Sequence, residues 1–457
     1  MTQSEPAHKK WVKSLMSSAS FWNVIYNGLR IGGNIITLPL ALRMLPANEM
    51  GLFYTFGAVA GIAMFMDLGM GATVSRQATY IYSGAKHLTS SGIPESTEDG
   101  KTDIGLFSRF VSTVRKIYTI IGFITGLLLI IPGGIFISKS IIASGMSAHF
   151  IFAWIIYACA ASHSLATGFW SNFLMGIKEE RLSAVIGVYA QLGYILVVII
   201  GLVCGIGIWS YTIALLVSGV SQRTISKYYF VLKSKVSDYL KADFGMLKVF
   251  WPMSWRLWIV LISMYVFQKA SVIISSKQLG LEVTAGYGLA LSLFSIVYQV
   301  TSTPLFVAYP GISRLRVMGN YVGIRSIFLK RLYCSMAICG LALVGIIFIG
   351  PYFLKLAGSH THLPATPLLL MAALFFLCDK HQGEYFSLVL SENQNPFIIP
   401  YAMTAVLSIA LMALGATYWG LFGLILGQGV SQTAINNWWV VVRGWKGLEI
   451  SKEKNKT

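Results

Sequence analysis

Apolar runs of about 20 residues recur along the whole chain, each long enough to cross the hydrocarbon core of a bilayer. Twelve are counted, at about 20–44, 50–72, 116–137, 149–174, 184–206, 210–232, 250–274, 284–308, 332–354, 365–390, 397–417 and 419–441. Inside hydrocarbon the backbone has no water to bond, so only helices and closed barrels can span it. Barrel strands alternate in polarity over about ten residues. These runs do not alternate, so an all-α integral membrane protein is expected. Only 11% of the 457 residues are charged, against roughly 25% in soluble domains.

The net charge is +18, which raises the question of nucleic acid. Its placement answers it. With both termini cytoplasmic, one face carries 27 of the 35 Lys and Arg, from Lys9, Lys10 and Lys13 to Lys452, Lys454 and Lys456. The opposite face carries only Arg43, Lys139, Lys277 and Lys355. That asymmetry is the positive-inside pattern of a multi-pass protein, so no nucleic-acid partner is expected. The five cysteines all fall in apolar runs, form no C-x-x-C pair and are odd in number, so neither a metal site nor a disulfide framework follows. No cofactor is expected. The first 17 residues are polar or amphipathic with no cleavage-like site, so no signal peptide is expected either.

The chain repeats itself at long range. Trp209, Gly219-Val220-Ser221-Gln222, Ile225 and Tyr228-Tyr229 recur 210 residues later as Trp419, Gly429-Val430-Ser431-Gln432, Ile435 and Trp438-Trp439. Phe21-Trp22 and Phe250-Trp251 open the first and seventh runs, and Ser75-Arg76 and Ser313-Arg314 close the second and eighth. Each half is thus expected to hold six helices in the same orientation, giving two pseudo-symmetric six-helix lobes around a central cavity, a transporter arrangement. The expected division is an N-terminal lobe at 1–232, a cytoplasmic amphipathic linker at 233–248, a C-terminal lobe at 249–443 and a basic cytoplasmic tail at 444–457. Trp11, Val12, Leu15 and Met16 before the first lobe, and Val236, Tyr239, Leu240, Phe244 and Leu247 before the second, read as interfacial helices. G-x-x-x-G spacings such as Gly423/Gly427 permit close helix contact.

Few charges remain at membrane depth: Arg30, Arg256, Lys269 and Lys380 with Asp67, Asp379 and Glu384. Each costs about 2.5–3.5 kcal/mol on an insertion scale, so they form the candidate site. Asn23, Asn27, Arg30 and Asn34 share one helical face, either the wall of an aqueous cavity or a polar seam in which Asp67 pairs with Arg30. Arg256 lies beside Trp251, Trp255 and Trp258, and Lys269 nearer the outer end of the same run. Lys380 and Glu384 stand at i, i+4 next to Asp379, either a substrate or coupling cluster or a self-neutralising bridge. His163 reads as a hydrogen-bonded core histidine or a proton relay. Four cations against three carboxylates leave a cationic lumen that suits an anion, since guanidinium matches phosphate bidentately. G-x-x-x-x-G-K-[ST], H-E-x-x-H and G-x-S-x-G are all missing from the sequence, so a secondary transporter rather than an enzyme is expected.

Leu45-Pro46-Ala47-Asn48-Glu49-Met50-Gly51-Leu52-Phe53-Tyr54 with Met66-Asp67-Leu68-Gly69-Met70-Gly71-Ala72-Thr73-Val74-Ser75-Arg76 resembles the first helical hairpin of polysaccharide transporters, the O-antigen (Wzx-type) flippases of the multidrug/oligosaccharidyl-lipid/polysaccharide exporter superfamily. The stretch from Lys269 to Tyr287-Gly288-Leu289-Ala290 looks like the matching hairpin of the second half. The resemblance implies export of undecaprenyl-pyrophosphate-linked oligosaccharide across the bacterial inner membrane by alternating access. It implies membrane lipids as surroundings, with a polysaccharide polymerase and a chain-length regulator as partners. The family's acidic–basic pair in the seventh span is Gln268-Lys269 here, so only Lys269 carries over. A multidrug/cation antiporter of the same superfamily and a membrane polymerase are the alternative readings.

Overall fold

The computed structural model describes residues 18–89, 101–234, 236, 240–391 and 396–454. The amphipathic stretch at Trp11–Met16 and most of the loop 90–103 lie outside them. Among the described residues there is no β-strand. The helices are α1 (Ala19–Met44), α2 (Ala47–Ala60), α3 (Ile62–Met66), α4 (Met70–Tyr82), α5 (Ile104–Leu128), α6 (Gly134–Ala143), α7 (His149–Ala166), α8 (Phe169–Gly176), α9 (Glu180–Val203) and α10 (Trp209–Ser234). There follow α11 (Leu247–Gln278), α12 (Leu281–Val317), α13 (Tyr321–Phe348), α14 (Gly350–Leu356), α15 (Thr366–Leu390), α16 (Ile398–Ser431) and α17 (Trp438–Lys454). The chain divides into two compact units, one of Met1–Met44 with Val59–Trp258, the other of Leu45–Ala58 with Ile259–Thr457.

Eight helical stretches among the described residues are long and apolar enough to cross a membrane. They differ from the twelve expected for two physical reasons. α1, α10 and α15 have the length, at 26, 26 and 25 residues, but their polar side chains interrupt the apolar run. The last two runs join into one stretch, Ile398–Leu448. That stretch contains a reversal at Gly420, whose φ of 59° and ψ of −139° an L side chain avoids. The two arms then touch backbone to backbone: a Cβ on Gly415 or Gly423 would meet the carbonyl of the other. Gly427 lies equally close to the Leu411 carbonyl, so the Gly423/Gly427 spacing does bring helices together.

The first unit is held by interlocking rings. Phe107, Phe110, Tyr118, Phe169, Trp170, Phe173 and Phe230 form its buried core. Phe107 and Phe110 meet Phe173 edge-on at 6.3 and 5.7 Å, geometry worth about 0.5–1.5 kcal/mol per pair beyond area burial. Lipid is as apolar as leucine, so such packing contacts hold helices together where hydrophobicity cannot. Between α3 and α4 the helix breaks at Asp67-Leu68-Gly69, where Leu68 and Gly69 take left-handed φ of 55° and 67°. The Asp67 carboxylate recaps the chain by accepting the Gly71 N–H at 3.1 Å.

The linker departs from the expected interfacial helix in its described part. α10 ends at Ser234, and a short 3-10 turn, Phe244–Met246, precedes α11. Asp243 caps that turn through the Gly245 N–H at 2.8 Å, and its own N–H donates to Thr113 Oγ1 at 2.9 Å. Val236 and Met246 sink into the first unit's aromatic core. Of the apolar positions, Val236 is buried against protein and Leu247 packs partly against the same core, while Leu240 and Phe244 stay exposed, at 46% and 45%.

Candidate functional site

The second unit contains a cavity of about 440 Å³. Its walls follow from helical periodicity. Tyr287, Leu291, Phe294 and Tyr298 stand at i, i+4, i+7 and i+11 on α12, so four side chains line one wall. α15 contributes Phe375, Phe376, Asp379, Gln382 and Phe386, α11 contributes Phe267, Gln268 and Lys269, and α16 contributes Tyr401 and Gln428. Gln432 reaches it from a π-helical turn, Gln432–Asn437, that joins α16 to α17. Such turns often mark functional sites, because they re-aim side chains that a regular helix would point elsewhere. Gly429 has no room for a Cβ against the Phe375 ring, which is what lets that ring pack there.

The amides of the wall are oriented by defined hydrogen bonds. Tyr287 donates its hydroxyl to Gln428 Oε1 at 2.8 Å, and Gln428 Nε2 donates to the Phe267 carbonyl at 2.8 Å. Gln382 Nε2 donates to the Tyr401 hydroxyl at 2.6 Å. These bonds hold the glutamine and tyrosine groups in fixed directions. Lys269 and Asp379 are the two charged residues of the lining, one of each sign. Neither has a hydrogen-bond or ion-pair partner among the described residues. The cavity therefore combines ring faces, oriented amides, one amine and one carboxylate.

Behind this wall lies a separate charge cluster. Lys380 Nζ and Glu384 Oε1 are 2.9 Å apart with side chains 0% and 4% exposed. Ser302 Oγ accepts from Lys380 at 2.8 Å and donates to Glu384 at 2.7 Å. The ammonium also sits 4.7 Å from the Tyr298 ring centroid. Every charge in the group is compensated, the geometry of the self-neutralising bridge. Tyr298 contacts the cluster on one side and lines the cavity on the other.

The remaining expected residues are placed as follows. Asn23, Asn27, Arg30 and Asn34 are all exposed on α1, while Gly33 and Thr37 of the same helix are buried. Asn23 and Asn27 donate to the Ala19 and Asn23 carbonyls at 3.1 and 2.9 Å. Arg30 and Asp67 do not pair: the Asp67 carboxylate is taken by the Tyr118 hydroxyl and the Gly71 N–H. His163 Nε2 is buried with no hydrogen-bond partner among the described residues. The side chain of Arg256 lies outside the described residues. Of the expected set the structure brings Lys269 and Asp379 into one cavity and Lys380 with Glu384 into one ion pair.

Sequence reasoning missed the aromatic and amide lining. A signal existed in the spacing Tyr287, Leu291, Phe294, Tyr298 and in Gln432, the last residue of the repeated Gly-Val-Ser-Gln. Charge marks little of this wall, most of which is uncharged.

No protein-family model matches the chain, and no curated protein sequence matches it. Solved structures do. The chain is similar to a lipid II flippase MurJ in an inward closed conformation, with a TM-score of 0.64 at 14% identity over 93% of this chain and 90% of that one. It is also similar to an inward-facing multidrug resistance MATE family transporter of the MOP superfamily, with a TM-score of 0.62 at 12% identity over 94% and 96%. A third, the MATE multidrug transporter DinF-BH in a ligand complex, gives 0.55 at 12% identity over 98% of each chain. The chain is a multi-pass membrane protein with a MATE/MurJ-like transporter fold.

Proposed function

We propose that this protein flips an undecaprenyl-pyrophosphate-linked oligosaccharide, such as an O-antigen repeat unit, across the bacterial inner membrane by alternating access. The observation that carries the proposal is the composition of the second unit's cavity. A sugar ring has an apolar C–H face and a hydroxyl rim. Phe294, Tyr298, Phe375, Phe376 and Phe386 offer ring faces, and Gln268, Gln299, Gln382, Gln428 and Gln432 offer groups that both donate and accept. Lys269 and Asp379 cancel in charge, so the cavity favours a neutral glycan over an ion. Its 440 Å³ lies within the range of about 300–1,000 Å³ usual for ligand sites.

The rest of the reading follows. All twelve apolar runs span, in two six-helix lobes, with both termini cytoplasmic. Arg30 and Arg256 serve the anionic part of the ligand, with Asn23, Asn27 and Asn34 keeping α1 hydrated. Lys380 and Glu384 act by holding Tyr298 in the cavity wall. A polysaccharide polymerase and a chain-length regulator receive the product. An inside-negative potential drives an anion outward by about 2.3 kcal/mol per charge per 100 mV, without nucleotide. The test is reconstitution in liposomes with lipid-linked oligosaccharide and an imposed potential. Flipping without nucleotide, stimulated by the potential, is expected; flipping that requires ATP and ignores every ion gradient refutes the mechanism.

A second reading is favoured by one observation. The Asp379 carboxylate, without a partner among aromatic rings, would also suit an organic cation, the chemistry of a multidrug exporter. Export of a cationic dye that Asp379→Asn abolishes, with no flipping of lipid-linked oligosaccharide, decides for that reading.

A further inference from the structure

The duplicated segment differs between its copies in charge. At the offset of 210, Arg223, Ser226 and Lys227 on α10 correspond to Thr433, Asn436 and Asn437 at the π-helical turn. One copy is dicationic and the other carries amides. The Arg223 guanidinium is half-buried in the first unit, where Nη1 donates to Ser171 Oγ at 3.0 Å. The Ser171 and Ser226 hydroxyls lie 3.4 Å apart. The buried Nε of Arg223 has no hydrogen-bond partner among the described residues. One helical turn on, Lys227 Nζ lies 5.9 Å from the centroid of the Trp170 ring, beside Ser171 in sequence.

No carboxylate among the described residues pairs with either cation. Glu179 is occupied by Lys233 at 3.1 Å. Two like charges one turn apart repel along a helix, and a half-buried guanidinium with no counter-ion is costly to keep. Asymmetry in the positive-inside sense explains a lysine at a helix end, but not an arginine half-buried against the Ser171 hydroxyl. A tetrahedral oxyanion would use this arrangement fully: the guanidinium offers a flat pair of donors, the lysine a point charge and the serines two hydroxyl donors.

We propose that Arg223, Lys227, Ser171 and Ser226 form a phosphate or pyrophosphate site in the first unit. The inference deepens the lipid-linked pyrophosphate reading above and rests on it for the biological source of the anion. A phospholipid headgroup offers the same chemistry, so the two sources need separating.

The experiment uses the full chain in a nonionic detergent and inorganic pyrophosphate as probe, with binding read by thermal unfolding and by broadening of the ³¹P resonance. Saturable binding is expected for the wild type. Binding about tenfold weaker is expected for Arg223→Ala, the loss of a charge-assisted donor group, with an intermediate loss for Lys227→Gln and none for Lys233→Gln. If Arg223→Ala does not fold, Arg223→Lys and Lys227→Gln carry the same test. No saturable binding, or wild-type binding in both Arg223→Lys and Lys227→Gln, overturns the proposal. Repeating the titration in vesicles of phosphatidylcholine with and without phosphatidylglycerol separates the sources: competition by phosphatidylglycerol assigns the site to headgroups, and its absence assigns it to the transported linkage. Pyrophosphate binding that depends on Arg223 stands even if no oligosaccharide is flipped. Flipping with identical pyrophosphate binding in every variant removes the site and leaves the function.

Discussion

Removing one half of the Lys380–Glu384 pair should be far worse than removing both. The two groups are 2.9 Å apart with side chains 0% and 4% exposed. At an effective dielectric of about 20 their attraction is about 6 kcal/mol, most of it offset by the cost of taking both ions from water. Ser302 bonds to both partners, so Lys380→Met removes its donor, whereas the Gln of Glu384→Gln still offers an oxygen to its hydroxyl. Lys380→Met leaves a buried carboxylate without its cation, and Glu384→Gln leaves a buried ammonium without its anion. Each should cost about 3–5 kcal/mol. Lys380→Met with Glu384→Gln keeps the volume and removes both charges, so it should fall within about 1 kcal/mol of wild type. The coupling between the two sites should then be at least about 5 kcal/mol. Unfolding in mixed micelles of increasing sodium dodecyl sulfate content, followed by the fluorescence of the 12 tryptophans, measures all four states. Single variants within about 1 kcal/mol of wild type, or a double variant equal to the sum of the singles, would refute the compensated-pair argument.

Other outcomes follow from the same geometry. Gly423→Ala puts a Cβ against the Gly415 carbonyl and should destabilise the α16 hairpin by about 1–3 kcal/mol in the same unfolding assay. In a cysteine-free background, cysteines at Arg30 and Asn34 should react with a water-soluble thiol reagent, whereas one at Thr37, 2% exposed, should stay protected; equal labelling of all three contradicts the burial pattern of α1. In the flipping assay, Lys269→Ala and Gln428→Ala should each lower transport of lipid-linked oligosaccharide about tenfold, on the scale of one lost oriented polar contact; unchanged rates would remove the cavity from the pathway. Topology reporters fused at Ser96 and Ala357 should report opposite sides of the membrane, the first cytoplasmic, and the same side for both is incompatible with the assigned orientation.

The membrane class was fully legible, because a charge-poor chain of repeated apolar runs leaves the backbone no alternative to helices. The polar face of α1 was legible too, since a spacing of 4, 3 and 4 residues is decided by the helix alone. Asp67 was legible as a polar group but not in its role. Its partners are the Tyr118 hydroxyl, 51 residues away, and a backbone N–H freed only because Leu68 and Gly69 take left-handed φ. No periodicity announces such a break. The linker was legible only in part: Val236 is buried by protein while Leu240 and Phe244 stay exposed, and an apolar stripe does not say which of its residues protein will cover. The cavity was hidden because four helices supply its lining, and the register between separate helices is set by packing rather than by any one segment.

The two copies of the repeated segment differ in backbone as well as in charge. In the first copy α10 is regular, Ser226 is buried and Lys227, the next residue, is exposed. In the second copy the backbone passes through a π-helical turn at Gln432–Asn437, and both Asn436 and Asn437 are buried, at 0% and 7% exposure. A π-helical turn accommodates one extra residue, so the side chains that follow are rotated relative to those of a regular helix. Position 437 is buried where its counterpart 227 is exposed. A lysine at 437 would need a buried counter-charge, and the asparagine there avoids that cost. A lysine at 227 stays near water and remains able to meet an anion. Divergence in charge and divergence in backbone thus coincide in the same segment of the repeat: the buried copy carries amides, and the exposed lysine stands on the regular helix.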